Sequence, residues 1–392
     1  MGNQTSHTWQ ELSGETKWAD MLDPLDDELR MYLIHYGERV QALGDAFNNV
    51  DVSPSCNFSR YPMKDFFSYV GLEVNNPFKY EVKRFVYAKN FAVIGETTWI
   101  AYVAVTTDEG VKTLGRRDIL VVWRGTVRAK EALADLDDTQ EKAEDVFPGE
   151  PGIEIHQGWH YMYTYLDWLN HDEYTKTSSR TQVLEEIASL MKTYSHEDMS
   201  ITVVGHSMGG SLAILNGADI VNNKKNVLPG GKVCPVTVFT FESPKVGNED
   251  FQKKVDGLDN LHILRTENVL DMVPHMPPVN YYPVGQVLRV DSRESKYLKN
   301  LTSGATLAEM LGTAHQLEPL LHLIAGTKGL GKGFDLKDRR QLALVNKDGD
   351  YLTDAEAKAN EAPPSWWVVK NKGMIQKSND GKWVLNDYKP DP

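Results

Sequence analysis

A serine flanked by glycines, Gly205-His206-Ser207-Met208-Gly209, carries the strongest chemical signal in the chain. It follows the β-branched run Ile201-Thr202-Val203-Val204 and precedes the small-residue stretch 210–218. That order predicts a strand, a sharp turn and a helix, with Ser207 at the apex. Gly205 and Gly209 are needed because the turn is tight and leaves no room for a Cβ. The apex exposes the serine oxygen and aims the first amides of the helix at whatever binds there. Five residues with two glycines arise readily by chance. The setting between a β-branched strand and an Ala/Gly-rich helix is what points to a nucleophile and away from an ordinary turn serine.

A serine hydroxyl is a poor nucleophile at neutral pH and needs a positioned base, itself steadied by a carboxylate. Where the serine sits on a strand-to-helix elbow, the chain order is serine, acid, histidine. Asp271 fits the acid: residues 261–265 read as a strand, and the following loop is stiffened by Pro274. Asp291 is the second candidate, although Arg289 and Arg293 suggest that it starts a solvated stretch. Either aspartate has the alternative of a buried structural role. His315 and His322 compete for the base, and Pro319 separates them. Proline belongs in the first turn of a helix, so a helix starting near Glu318 leaves His315 in the preceding loop. It places His322 inside, among Leu320, Leu321, Leu323 and Ile324, where a histidine reads as core. His206 belongs to the strand side of the elbow and is expected to support it. The oxyanion needs two donors. One is the Met208 N–H. The other is expected from Thr126, which ends a strand next to Gly125; its alternative is an ordinary strand-ending turn.

Strands and helices must bring these residues together. Residues 99–105 and 118–123 read as strands joined through a turn at Asp108-Glu109-Gly110, the second apolar enough for a central position. Ser179 opens a helix with Gln182 completing a capping box. Strands 236–241 and 261–265 follow. Strands alternating with helices predict an α/β fold with a mostly parallel sheet covered on both faces, its site at the carboxyl ends of the strands. The expected organisation is a single domain. It comprises an N-terminal helical segment (1–90), an α/β core (91–335) whose strands begin near Phe91, and a C-terminal extension (336–392). In that extension 342–345, 366–369 and 382–385 suggest short antiparallel hairpins.

Composition narrows the function classes. Of 392 residues, 41% are hydrophobic and the formal net charge is −13, which argues against nucleic acid and against electrostatic docking on anionic lipid. No apolar run approaches a membrane span, and the first thirty residues resemble neither a secretory signal nor a transit peptide. Two cysteines, Cys56 and Cys234, read as reduced thiols in a cytoplasmic setting. The sequons at Asn3, Asn57 and Asn300 then carry no meaning. Met1-Gly2-Asn3-Gln4-Thr5-Ser6 fits a myristoylation pattern, with Gly2 as acceptor, but no second anchor accompanies it.

Arg124-Gly125-Thr126, Gly205 to Gly209, Ser243-Pro244-Lys245-Val246-Gly247-Asn248, Asn268 to Pro274 and Ala314-His315-Gln316-Leu317 together resemble the class 3 lipases. More narrowly, the chain resembles the plant phospholipase A1 group of class II, from about residue 8 into the Trp366-Trp367 and Lys382-Trp383 tail. Pro319 departs from the family's usual pattern. The resemblance implies an α/β-hydrolase-like lipase fold, a Ser207–Asp271–His315 triad and release of the sn-1 acyl chain of glycerophospholipids. It implies no metal or other cofactor, and a lipid partner met by transient contact with a membrane surface. It also places a lid at 127–155, here acidic (Glu131, Asp135, Asp137, Asp138, Glu141, Glu144, Asp145), with Leu133, Leu136, Val146 and Phe147 as its apolar residues. Such a lid predicts weak interfacial activation. Two alternatives stand beside this reading: a monoacylglycerol lipase or soluble carboxylesterase, and a non-catalytic lipase-like scaffold or receptor.

Overall fold

A computed structural model describes residues 6–91, 95–126, 138–167, 172–299, 314–336, 340–366, 374–376 and 383–385. The Gly2 acylation motif, the lid residues Glu131, Leu133, Asp135, Leu136 and Asp137, and the Asn300 sequon lie outside them.

Among the described residues seven strands form the central sheet: β1 (Tyr80–Lys89), β2 (Thr97–Thr106), β3 (Arg117–Trp123), β6 (Met199–His206), β7 (Val236–Phe241), β8 (Leu261–Asn268) and β9 (Gln286–Val290). They lie in that order across the sheet. The β1–β2 and β2–β3 pairs are antiparallel, and the remaining pairs are parallel. Every residue of β3 and β7 is buried, as continuous apolar runs in a two-sided sheet require. Side chains alternate between two cores. Leu120, Val122, Val204 and Phe239 face one. Ile119, Val121, Val203 and Val238 face the other.

The first core is closed by α1 (Asp27–Ala46) and α7 (Leu317–Gly326). Helix α1 starts where the Asp26 carboxylate accepts the Glu28 and Leu29 amides at 2.8 and 3.0 Å. It buries Leu29, Leu33, Tyr36, Val40 and Leu43 along one stripe. The second core is closed by α3 (Gln157–Thr164), α4 (Ser179–Thr193), α5 (Met208–Asn222) and α6 (Glu249–Asp256). Among the described residues no helix is long and apolar enough to cross a membrane.

Several local expectations change. The sheet begins at Tyr80, upstream of Phe91, and β1 is an edge strand of mixed exposure that lacks a clean apolar signature. Asp108-Glu109-Gly110 opens helix α2 (Asp108–Leu114), capped by the Thr107 side chain and ended by Gly115 at φ 71°. The cap of α4 is Ser178, whose hydroxyl accepts the Thr181 amide at 3.2 Å. Gln182 instead binds the edge backbone of β1, donating to Tyr87 O and accepting from Tyr87 N, both at 3.0 Å. Residues 342–345 are a 3₁₀ turn within Leu342–Asn346 and not a strand; the Asn346 side chain accepts the Tyr351 and Leu352 amides at 2.8 Å and turns the chain. Residues 383–385 do form a strand, but its partner is not 366–369: β10 (Met374–Gln376) and β11 (Trp383–Leu385) pair antiparallel, and 367–369 lie outside the described residues. Asp291 is buried, and Arg293 donates to it through its amide, Nε and Nη2.

The expected lid stops short of 155. Strands β4 (Gln140–Lys142) and β5 (Glu154–His156) pair, and Val146 and Phe147 between them are buried in the second core. Glu141 and Asp145 sit 2.5 and 2.8 Å from the two nitrogens of His160.

The C-terminal extension is tied to α1 and α7 by charge. Lys347 Nζ lies 2.9 Å from both Asp45 and Glu318, all three of them buried, and Arg340 also pairs with Glu318. Lys347→Met leaves two buried carboxylates without their ammonium and is expected to lower unfolding stability by about 3–5 kcal/mol in urea titrations. His322 bears on pH. Burial, with Arg340 nearby, pushes its pKa down to about 3. The unfolded chain therefore binds a proton below about pH 6.5 that the fold refuses, and stability falls as pH drops. Between pH 7 and pH 5 this group alone accounts for a loss of about 2 kcal/mol, and His322→Phe is expected to flatten that slope by the same amount.

Candidate active site

The parallel register aligns the carboxyl ends of four strands. Trp123 pairs with Gly205, His206 with Phe241, and Phe241 with Thr266. The segments leaving β3, β6, β7 and β8 therefore start side by side, and these hold Thr126, Ser207, Glu242 and Asp271.

Ser207 sits between β6 and α5 with φ 55° and ψ −134°. Left-handed backbone at a non-glycine residue costs on the order of 1–3 kcal/mol and persists only where its surroundings impose it. Here the Ser207 amide donates to Phe241 O at 2.9 Å and its carbonyl accepts the Gly210 amide at 2.8 Å. A Cβ on Gly205 would lie 2.1 Å from Gly209 O, and one on Gly209 would lie 2.4 Å from Trp123 O. Both clashes are with backbone, so neither position admits a side chain. Met208 opens α5, and its amide is one of the first-turn donors with no acceptor inside the helix.

His315 precedes α7, whose start at Leu317 puts Pro319 in the first turn. Its Nε2 lies 2.8 Å from Ser207 Oγ, and its Nδ1 lies 2.6 Å from Asp271 Oδ2. The Nδ1–H donates to the carboxylate, which leaves Nε2 free to accept the serine proton. Two side chains hold this loop. His206 Nε2 donates to His315 O at 2.7 Å, and Asn268 Nδ2 donates to Ala314 O at 3.2 Å. Burial and the charge of His315 push the His206 pKa down to about 3, so that ring stays neutral. His322 lies away from this site, 2.7 Å from Ser295 Oγ and tilted against the Phe334 ring.

Asp271 is fully buried, and its Oδ1 accepts the Val273 amide at 3.0 Å. Burial opposes ionisation. The hydrogen bond and charge of His315, with smaller help from Glu242 and Val273, outweigh it and hold the carboxyl below the usual range. Asp291, the other acid candidate, is bound to Arg293. Thr126 lines the cavity next to Ser207; a Cβ on its neighbour Gly125 would lie 2.6 Å from His206 O.

Ser207 and His315 open into a cavity of about 670 Å³. Its far wall comes from α1, through Val40, Gln41 and Gly44, and from Asp348 of the C-terminal extension. Neither was legible as part of a site, because nothing local marks a helix residue as facing a cavity built by another segment. Glu242 was missed as well; the signal available was an acid closing the otherwise apolar strand 236–241, just before Ser243-Pro244. Among the described residues no group of three or more His, Cys, Asp or Glu is arranged to hold a metal ion.

A family model described as lipase (class 3) matches residues 120–281. Phospholipase A1-IIgamma of Arabidopsis thaliana is 42% identical over 98% of this chain and 93% of its own length. Phospholipase A1-II 1 of Oryza sativa subsp. indica is 42% identical over 100% of this chain and 98% of its own. Among solved structures, the nonglycosylated LIP2 lipase of Yarrowia lipolytica matches with a TM-score of 0.47 and 16% identity over 69% of this chain and 82% of that one. With relatives this similar along almost its entire length, the chain belongs to the phospholipase A1-II family, within the class 3 lipases.

Proposed function

We propose that the protein is a phospholipase A1, a serine hydrolase that releases the sn-1 acyl chain of glycerophospholipids through an acyl-enzyme. The observation that carries this reading is the continuous line from Ser207 Oγ through His315 to Asp271, with contacts of 2.8 and 2.6 Å at the mouth of the cavity. Ser207 attacks the ester carbonyl carbon while His315 Nε2 takes its proton. Asp271 keeps the ring in the required tautomer and stabilises the imidazolium that forms. The Met208 amide and Thr126 receive the developing oxyanion. His315 then returns the proton to the departing lysophospholipid oxygen. Water, deprotonated by the same ring, clears the acyl-enzyme. The names of the relatives support the sn-1 preference and the phospholipid substrate.

The enzyme works by transient contact with a lipid surface. A cytoplasmic setting is supported by the presence of only two cysteines in 392 residues. A single acyl chain on Gly2 would add only a marginal, reversible anchor.

With phosphatidylcholine carrying distinguishable acyl chains, the wild type is expected to release the sn-1 chain first. Ser207→Ala should lower the rate by at least about 10⁴-fold, and adding His315→Ala should cost little more, because the residues act as a unit. Equal hydrolysis by wild type and Ser207→Ala would remove the mechanism. Faster turnover of short soluble esters than of phosphatidylcholine micelles would move the substrate to simple esters. Gly125→Ala forces the Thr126 loop off the His206 carbonyl and should lower kcat by about 10²–10³-fold. Steady-state kinetics with circular dichroism as a folding control reads that loss.

A further inference from the structure

Glu242 stands directly behind the acid of the proposed triad. It follows β7 and is fully buried. Its backbone is left-handed, with φ 51°. A non-glycine residue holds that conformation only where its surroundings demand it, and such strain concentrates at functional sites. Glu242 Oε1 accepts the Asn268 amide at 2.8 Å. Oε2 meets no hydrogen-bond donor among the described residues. The Asp271 carboxyl group lies within hydrogen-bonding reach of the Glu242 carboxyl group.

Two ionised carboxylates cannot share that contact, and one proton between them turns repulsion into a hydrogen bond. The neighbouring charges decide which group keeps the proton. Asp271 already receives the His315 Nδ1–H and the Val273 amide, both of which favour its anion. Among the described residues Glu242 has one amide and no cation. The charge of the next acid, Glu267, also disfavours its ionisation, though Glu267 is itself paired with Arg265 and, at 4.0 Å, with Arg289. Burial, followed by the charge and hydrogen bond of Asp271, holds the Glu242 carboxyl well above the usual range.

Resting on the triad reading above, we infer that Glu242 is a neutral carboxylic acid whose Oε2–H donates to the Asp271 carboxylate and keeps it aimed at His315. It is a positioning residue and does not touch substrate. The proton stays on Glu242 throughout turnover. Its donation fixes the rotation of Asp271, so that Oδ2 faces His315 while Oδ1 faces Val273. A neutral donor does this without adding a second negative charge beside the imidazole.

The test compares Glu242→Leu, which removes donor and acceptor, with Glu242→Gln, which reproduces a neutral acid's donor and acceptor. Ser207→Ala serves as the blank, and the substrate is phosphatidylcholine in mixed micelles. Glu242→Leu is expected to lower kcat about 10–100-fold with KM within about twofold, the loss typical of a support removed from behind a catalytic ligand. Glu242→Gln is expected to recover most of that loss and to keep the acid limb of the kcat/KM–pH profile in place. Infrared difference spectra of wild type minus Glu242→Gln at pH 8 should show a neutral carboxylic acid band. A Glu242→Leu enzyme with wild-type kcat would overturn the positioning role. An acid limb displaced by a unit or more in Glu242→Gln, or no neutral acid band, would show that Glu242 is ionised and overturn the proposal. Should Glu242→Leu fail to fold, the glutamine profile and the infrared band still decide. Full activity in Ser207→Ala would strike the triad itself, and the infrared band separates that failure from an ionised Glu242.

Discussion

The molecule is organised around one forbidden volume: the space beside Gly205 and Gly209 that a single Cβ would fill. Their backbones press against each other and against the end of β3, at separations no side chain tolerates. That pressure lets the chain leave β6 and enter α5 within one residue, and it drives Ser207 to φ 55°. A relaxed turn would lower the hydroxyl into the sheet and swing the first amides of α5 away. The strain is held by neighbours, chiefly the hydrogen bond from the Ser207 amide to Phe241 O. The elbow therefore depends on β7 as much as on its own strand.

Parallel register carries that constraint outward. Because β3, β6, β7 and β8 end together, four loops share one rim, and a modest set of contacts locks them. Asn268 clamps the loop of Asp271 to the loop of His315 through Ala314 O. His206 does the same from the serine side through His315 O. The sheet in turn needs both of its faces covered, and α1 with α7 covers one of them. Covering that face also makes the far wall of the cavity, so the N-terminal helix serves core and pocket together. The buried Lys347 ties the C-terminal extension to the same helices.

Legibility followed the range of the interactions. The strand at 118–123, the elbow and the helix after it could be read because β-branched runs, glycine pairs and small residues act on their immediate neighbours. Pro319 separated His315 from His322 for the same reason: proline limits the first turn of its own helix. Errors arose where a distant partner overrode local preference. Gln182 completes a good local capping box with Ser179, yet the open backbone of the edge strand β1 claims its side chain. One error was local: the Asp108-Glu109-Gly110 turn continues as a helix because the adjacent Thr107 caps it. Val146 and Phe147 read as apolar residues of the lid, but β4 and β5 pair and fold them into the core. Residues 342–345 have the apolar character of a strand, but Asn346 turns the chain and, among the described residues, no partner strand lies beside it.

From its order of residues alone, this chain determined the alternation of strands and helices, the apex serine, and the succession of serine, acid and base along it. Those features follow from short-range sterics and from burial patterns of period 2 and 3.6, which are written locally. Tertiary structure alone decided that Asp271 and not Asp291 lies beside His315, that α1 walls the cavity, and that the Glu242 carboxyl faces Asp271. These are meetings between segments far apart in the chain. Their energies depend on burial and on opposed charges at close range, and neither exists until the sheet has brought the strand ends together.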